Sequence, residues 1–167
     1  MSSKRAPQQI ASLVERLDRL GLLLRSESRG LDRSDLMISA PCTHDSRQVL
    51  PGGAFVAIAG ARADGAAFAL EALRRSVALL ISETAGARSI ASSTPEAAEV
   101  PLIAVSNARR ALAEASAWWE GDPAEELIVV GVTGTDGKTT TATYLSTALT
   151  AAGLSAGLIS TALQRVG

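Results

Sequence analysis

The chain has 167 residues, enough for one ordinary domain, or for a small domain and part of a second. Hydrophobic residues make up 47% and charged residues 20%, which excludes a disordered polyelectrolyte. Sixteen basic against seventeen acidic residues leave a net charge of −1, which argues against electrostatic capture of nucleic acid or an anionic membrane. One cysteine, Cys42, excludes an internal disulfide, and one histidine, His44, excludes a zinc site built from several His and Cys ligands. The N-terminal stretch Met-Ser-Ser-Lys-Arg-Ala-Pro-Gln-Gln carries charge with no apolar core behind it, unlike a signal peptide. No apolar run approaches the ~20 residues of a membrane-spanning helix, so a cytoplasmic protein is expected.

Ile10, Leu13, Val14, Leu17, Leu20 and Leu24 recur at spacings of three and four, the stripe of an amphipathic helix. Gly21 marks where that helix frays, and the polar residues 25–35 read as a connection. After a Pro-Gly-Gly turn, 54–59 reads as a short buried strand. Residues 65–75 follow as a helix, 77–81 as a second strand, and 86–100 as a loop or short helix. A third strand is predicted at 102–105, then a helix capped by Asn107 that carries Leu112, Ala115 and Trp119. Trp118 and Trp119 are expected to pack rather than to stack on a nucleobase.

The turn-rich, charged segment 121–126 is the preferred domain boundary, dividing the chain into 1–124 and 125–167. Beyond it lie a predicted strand at 127–132, a helix at 138–152 and a strand at 156–160. Strands alternating with helices indicate an α/β protein. Neither repeats nor low-complexity tracts interrupt it.

The most informative segment is Gly131-Val-Thr-Gly-Thr-Asp-Gly-Lys-Thr-Thr-Thr141, in which an apolar strand enters a glycine turn and then a helix. Phosphate binding needs this arrangement. Gly134 and Gly137 let the backbone approach an anion, and the first N–H groups of the helix point at it. Lys138 can reach the β- and γ-phosphates, and the Thr139 hydroxyl is placed to hold Mg²⁺. The spacing is not that of the usual P-loop, because Val132 stands where the first glycine belongs. A tight strand-to-helix turn without a ligand is the bland alternative. Threonines at 139, 140, 141 and 143 weigh against it, being poor helix formers concentrated in two turns.

This loop resembles the Gly-Thr-Asn-Gly-Lys form shared by the Mur ligases and the folylpolyglutamate synthetases, with Asp136 in place of Asn. The resemblance implies ATP binding by Gly134, Thr135, Asp136, Gly137, Lys138, Thr139 and Thr140, with Lys138 catalytic and Mg²⁺ held through Thr139. A carboxylate about 5 Å from a phosphate, at an effective dielectric near 20, adds repulsion of up to ~3 kcal/mol, so Asp136 bears on ATP affinity.

A second block narrows the resemblance. His44-Asp-Ser-Arg-Gln-Val-Leu-Pro-Gly-Gly-Ala-Phe-Val-Ala-Ile-Ala-Gly60 is similar to the Asp-Ser-Arg, Pro-Gly and Phe-Val-Ala pattern of the first domain of MurE and MurF ligases. It continues into Asp64-Gly-Ala-Ala-Phe68, where Ala66 replaces the family's His. Carried over by position, the UDP part of UDP-N-acetylmuramoyl-dipeptide would be held by His44, Ser46, Ala61, Arg62 and Ala63. Duller roles compete: Asp45 and Ser46 can shape a turn, Arg47 can be a structural ion-pair partner, and Arg62 can be merely solvated. Thr139-Thr-Thr141 and Gly157-Leu-Ile-Ser-Thr161 lean towards the MurE type.

The resemblance, over residues 40–165, implies a small UDP-substrate domain followed by the opening strand, phosphate loop and helix of a Mur-type ATPase domain. It implies ATP-driven addition of a diamino acid to UDP-N-acetylmuramoyl-L-alanyl-D-glutamate through an acyl phosphate, in peptidoglycan synthesis. The rest of such an enzyme would lie beyond residue 167, so no turnover is expected from this polypeptide alone. Its apolar strands would then lack cover, which makes self-association through 125–167 an expectation. A non-catalytic UDP-sugar-binding module, a MurF-type ligase and an unrelated P-loop ATPase are the alternatives. UDP binding without ATP binding marks the first, and ATP hydrolysis without UDP affinity the last.

Overall fold

A computed structural model describes residues 6–32, 35–60, 63–161 and 163–165. It is a mixed α/β structure that divides into two compact units, 1–126 and 127–167.

The first unit is built on a parallel sheet of four strands in the order β3 (Cys42–Thr43), β4 (Ala54–Ala57), β5 (Leu79–Glu83), β6 (Leu102–Val105). A further pair, β1 (Gln8–Gln9) and β2 (Met37–Ile38), is antiparallel. A parallel sheet expects cover on both faces, and the alternation along each strand provides for it. Ala54, Val56, Leu79, Ile81, Ile103 and Val105 face a core shared with α1 (Ile10–Arg19) and α4 (Ala108–Glu120). Phe55, Ala57, Leu80, Leu102 and Ala104 face the other core, with α2 (Ala69–Arg74) and α3 (Thr84–Ser93).

The periodic stripe of α1 is buried at Ile10, Leu13, Val14 and Leu17. The helix stops at Arg19, five residues before the stripe ends. Gly21 turns the chain at φ 67°, and the Leu22 N–H bonds back to the Leu17 carbonyl at 2.9 Å. Residues 22–29 then run antiparallel along β6, with Leu24 N–H to the Ala104 carbonyl and Arg29 N–H to the Leu102 carbonyl, both at 2.9 Å. That edge of the sheet is thereby closed. Of the two expectations for 86–100, the short helix is the one formed: these residues supply most of α3 and a 3-10 turn (Pro95–Glu99), because Ala87 and Ile90 pack into the second core. Asn107 caps α4 as expected, its side-chain oxygen accepting the Arg110 N–H at 2.9 Å. Glu83 adds a second cap by accepting the Ala108 N–H at 3.0 Å. Trp118 and Trp119 are packing residues, both buried in the first core.

The second unit contains α5 (Lys138–Ala151) and an antiparallel pair, β7 (Leu158–Ile159) with β8 (Gln164–Arg165). The strand expected at 127–132 is not formed. Among the described residues no strand pairs with it, and an extended segment without a hydrogen-bonding neighbour is not a sheet strand.

Candidate functional site

Where β3 ends, the chain enters His44 and then a 3-10 turn (Ser46–Gln48). Asp45 organises that turn. Its carboxylate accepts the Arg47 backbone N–H at 3.1 Å, the Arg47 side chain at 2.9 and 2.8 Å, and the Gln48 amide at 3.1 Å. Thr43 Oγ1 accepts the Asp45 N–H at 3.1 Å. The hydrogen bonds from Arg47 hold the Asp45 carboxyl far below the usual aspartate range. Arg47 is thus the structural partner of Asp45.

After β4, Asp64 caps the next 3-10 turn (Gly65–Phe68) by accepting the Ala66 N–H at 3.0 Å. Position 65 admits only glycine, because a Cβ there would lie 2.5 Å from the Ile58 nitrogen. Ala66, at the place of the family's His, is buried in the second core beside α3, where a small side chain fits. The turn passes into α2 and brings Phe68 and Glu71, one helical turn apart, to the end of β3.

The result is an open cleft of about 410 Å³ lined by His44, Asp45, Ser46, Arg47, Phe68 and Glu71. It lies beyond the carboxyl end of the first sheet strand, where open α/β sheets hold ligands. Ser46 is buried and its hydroxyl donates to the Glu71 carboxylate. Phe68 leaves 43% of its surface exposed, a flat apolar wall in a polar setting.

Of the residues expected to hold UDP, the structure brings His44 and Ser46 together here. Ala63 is not part of that lining; it is exposed, and its carbonyl accepts the Gly60 N–H at 3.0 Å. Ala61 and Arg62 lie outside the described residues. Glu71 is not among the expected site residues, and Phe68 is expected only as an apolar helix residue and the end of a motif. Their spacing of three on a helical segment was the available signal.

In the second unit, Gly137 precedes α5 at φ 76° and Gly134 adopts φ 147°, both favouring glycine. The first helical bond runs from the Thr141 N–H to the Gly137 carbonyl at 2.8 Å, so the N–H groups of 138–140 precede the ladder. Gly134, Thr135, Asp136, Gly137, Lys138, Thr139 and Thr140 are all exposed. Lys138 folds over the loop and donates to the Gly134 and Thr135 carbonyls, the latter at 2.9 Å. Part of the threonine signal has a local cause: Thr143 bonds the Thr139 carbonyl, four residues back, at 2.8 Å.

Residues 41–119, from β3 to the end of α4, match the family described as Mur ligase family, catalytic domain. A UDP-N-acetylmuramyl-tripeptide synthetase of Deinococcus radiodurans is 44% identical over 119 residues, 71% of this chain and 23% of that protein. A UDP-N-acetylmuramoyl-L-alanyl-D-glutamate--2,6-diaminopimelate ligase of Chlorobaculum tepidum is 40% identical over 160 residues, 94% of this chain and 29% of its own length. The chain thus spans less than a third of these relatives. Among solved structures, MurF from Acinetobacter baumannii aligns with 89% of the chain and 29% of its own, at a TM-score of 0.60 and 23% identity, a likeness of fold alone. Identity sustained near 40% from the first helix through the phosphate loop, with the family match across the whole cleft-bearing sheet, makes this chain a member of the Mur ligase family.

Proposed function

We propose that the chain is the substrate-binding and phosphate-loop portion of a MurE-type ligase. Such an enzyme adds a diamino acid to UDP-N-acetylmuramoyl-L-alanyl-D-glutamate in the cytoplasm at the expense of ATP. The observation that carries this reading is the cleft at the end of β3, which joins Ser46 and His44 to an exposed aromatic wall. Residues 1–124 form the domain for the UDP moiety, and 125–167 open the ATP-binding domain. The relatives named for the tripeptide synthetase and the diaminopimelate ligase support the MurE type.

In this reading the helix N-terminus and the loop amides receive the ATP phosphates, and Lys138 exchanges the Gly134 and Thr135 carbonyls for phosphate oxygens. Mg²⁺ fits a site with few protein ligands, since it keeps waters and takes phosphate oxygens. Thr139, exposed in the first turn of α5, is the residue here that would hold it. The bound ion would neutralise phosphate charge. No helix among the described residues is long and apolar enough to cross a membrane. Exposed Leu127, Ile128, Val129, Val130, Tyr144 and Ile159 support self-association of the second unit.

Calorimetric titration with UDP-N-acetylmuramoyl-L-alanyl-D-glutamate, UDP and ATP-Mg²⁺ tests the proposal. Saturable binding of both UDP compounds is expected, weakened about tenfold by Ser46→Ala. A folded chain that binds none of them would refute it. Asp136→Asn is expected to tighten ATP binding by up to about tenfold, less than the unscreened repulsion allows, because Asp136 is exposed. An unchanged affinity would show the carboxylate turned away from the phosphates.

A further inference from the structure

The contact between Ser46 and Glu71 has a consequence for what the cleft selects. A hydroxyl has one proton to donate, and an ionised carboxylate can only accept. Ser46 therefore directs its proton to Glu71, and its remaining capacity is as an acceptor. Glu71 is itself half-buried at the cleft, with further acceptor positions on its carboxylate. Phe68 supplies the flat wall against which a planar ring stacks. Among the lining residues the carboxylates Asp45 and Glu71 outnumber Arg47, and Arg47 is already engaged by Asp45. The group that suits this end of the cleft is a neutral planar ring presenting an N–H, not a phosphate.

We propose that Glu71 is a specificity-determining positioning residue: by holding the Ser46 hydroxyl as an acceptor, it makes the cleft choose a base with an N–H on its ring edge, as uracil has at N3, over one with a bare ring nitrogen there, as cytosine has. This inference rests on the reading of the cleft as the seat of the UDP moiety. It adds a residue and a direction of hydrogen bonding that decide between pyrimidines. The discrimination arises because a base lacking the donor leaves the acceptor position of buried Ser46 unpaired.

The test is titration of the full chain with UDP, N3-methyl-UDP and CDP. UDP is expected to bind about tenfold or more tightly than either analogue. Glu71→Gln keeps the shape but offers an amide N–H to Ser46, which frees the serine proton to be donated to a ring nitrogen. The ratio of UDP to CDP affinity should then shrink several-fold, whereas a merely structural role for Glu71 would weaken both ligands alike and leave the ratio standing. Circular dichroism verifies the fold of the variant, and the N3-methyl comparison on the unaltered chain decides the matter if that variant fails to fold. Equal binding of UDP and N3-methyl-UDP would overturn the assignment while leaving the cleft a UDP site. Absence of UDP binding by the folded chain would overturn both.

Discussion

Two apolar tetrapeptides of nearly the same composition meet opposite fates in this chain. Leu102-Ile-Ala-Val105 is β6, no residue of it more than 1% exposed. Leu127-Ile-Val-Val130 is 64%, 96%, 73% and 59% exposed and forms no strand. The difference lies in neighbours. β6 bonds β5 along one edge and residues 22–29 along the other, and helices cover both its faces. The later run has no pairing strand among the described residues. An apolar β-branched run is a demand for a sheet, and the sheet itself must come from elsewhere.

The sharpest way to break this contrast is to make one substitution in each unit. Ile81, wholly buried in the middle of β5, should cost about 2–5 kcal/mol as Ile81→Ala, because both the transfer energy and the packing around it are lost. Ile128→Ala, at an almost fully exposed site, should change stability by no more than about 0.5 kcal/mol. Urea denaturation followed by the fluorescence of Trp118 and Trp119 reads the first unit directly, since both rings lie in its core. Comparable losses from the two variants would mean that 127–130 is packed, contrary to the exposure described.

The same contrast explains what could be read from the sequence. The face of α1 and the strands at 54–57 and 102–105 were legible, because three-to-four spacing and unbroken apolar runs are local signals. The expected strand at 77–81 begins two residues before β5, since Val77 and Ala78 continue the apolar run but precede the ladder. Gln8–Gln9, Met37–Ile38 and Cys42–Thr43 are too short for any periodicity to show. In the site, Ser46 and the glycine loop stood out by motif. Glu71 did not, because its link to Ser46 spans 25 residues and exists only once α2 has docked.

Cys42 offers a probe confined to the first unit. It lies at the start of β3 against the first core, with Sγ 3.7 Å from the Ala115 carbonyl. Burial pushes its thiol up to about 12 from an ordinary 9.0. At pH 8 the native thiolate fraction is then about a thousandfold below that of an exposed cysteine, and alkylation should slow by a similar factor. Labelling in denaturant should be fast. A native rate near the unfolded one would show that the edge of the sheet opens readily, and the two units would differ less than their burial suggests.

The smallest effect is expected near the end of the first unit, where Arg16 of α1 bonds Asp122 at 2.8 Å and Glu114 at 2.9 Å. The hydrogen bond from Arg16 lowers the pKa of Asp122 from its usual 3.8. A carboxyl lowered on folding contributes stability that is full above its unfolded value and is lost as pH falls through the folded one. Asp122→Asn should therefore be less stable than the parent at pH 7, with the gap closing as pH drops below about 4. The gap itself should be small, since both side chains are a quarter to a third exposed and water screens the pair. Urea midpoints for the two proteins at pH 7, 5, 3.5 and 2.5 measure it, with Glu114 left intact as the second partner of Arg16. A gap that stays constant across that range would show that the loss does not come from the titration of Asp122.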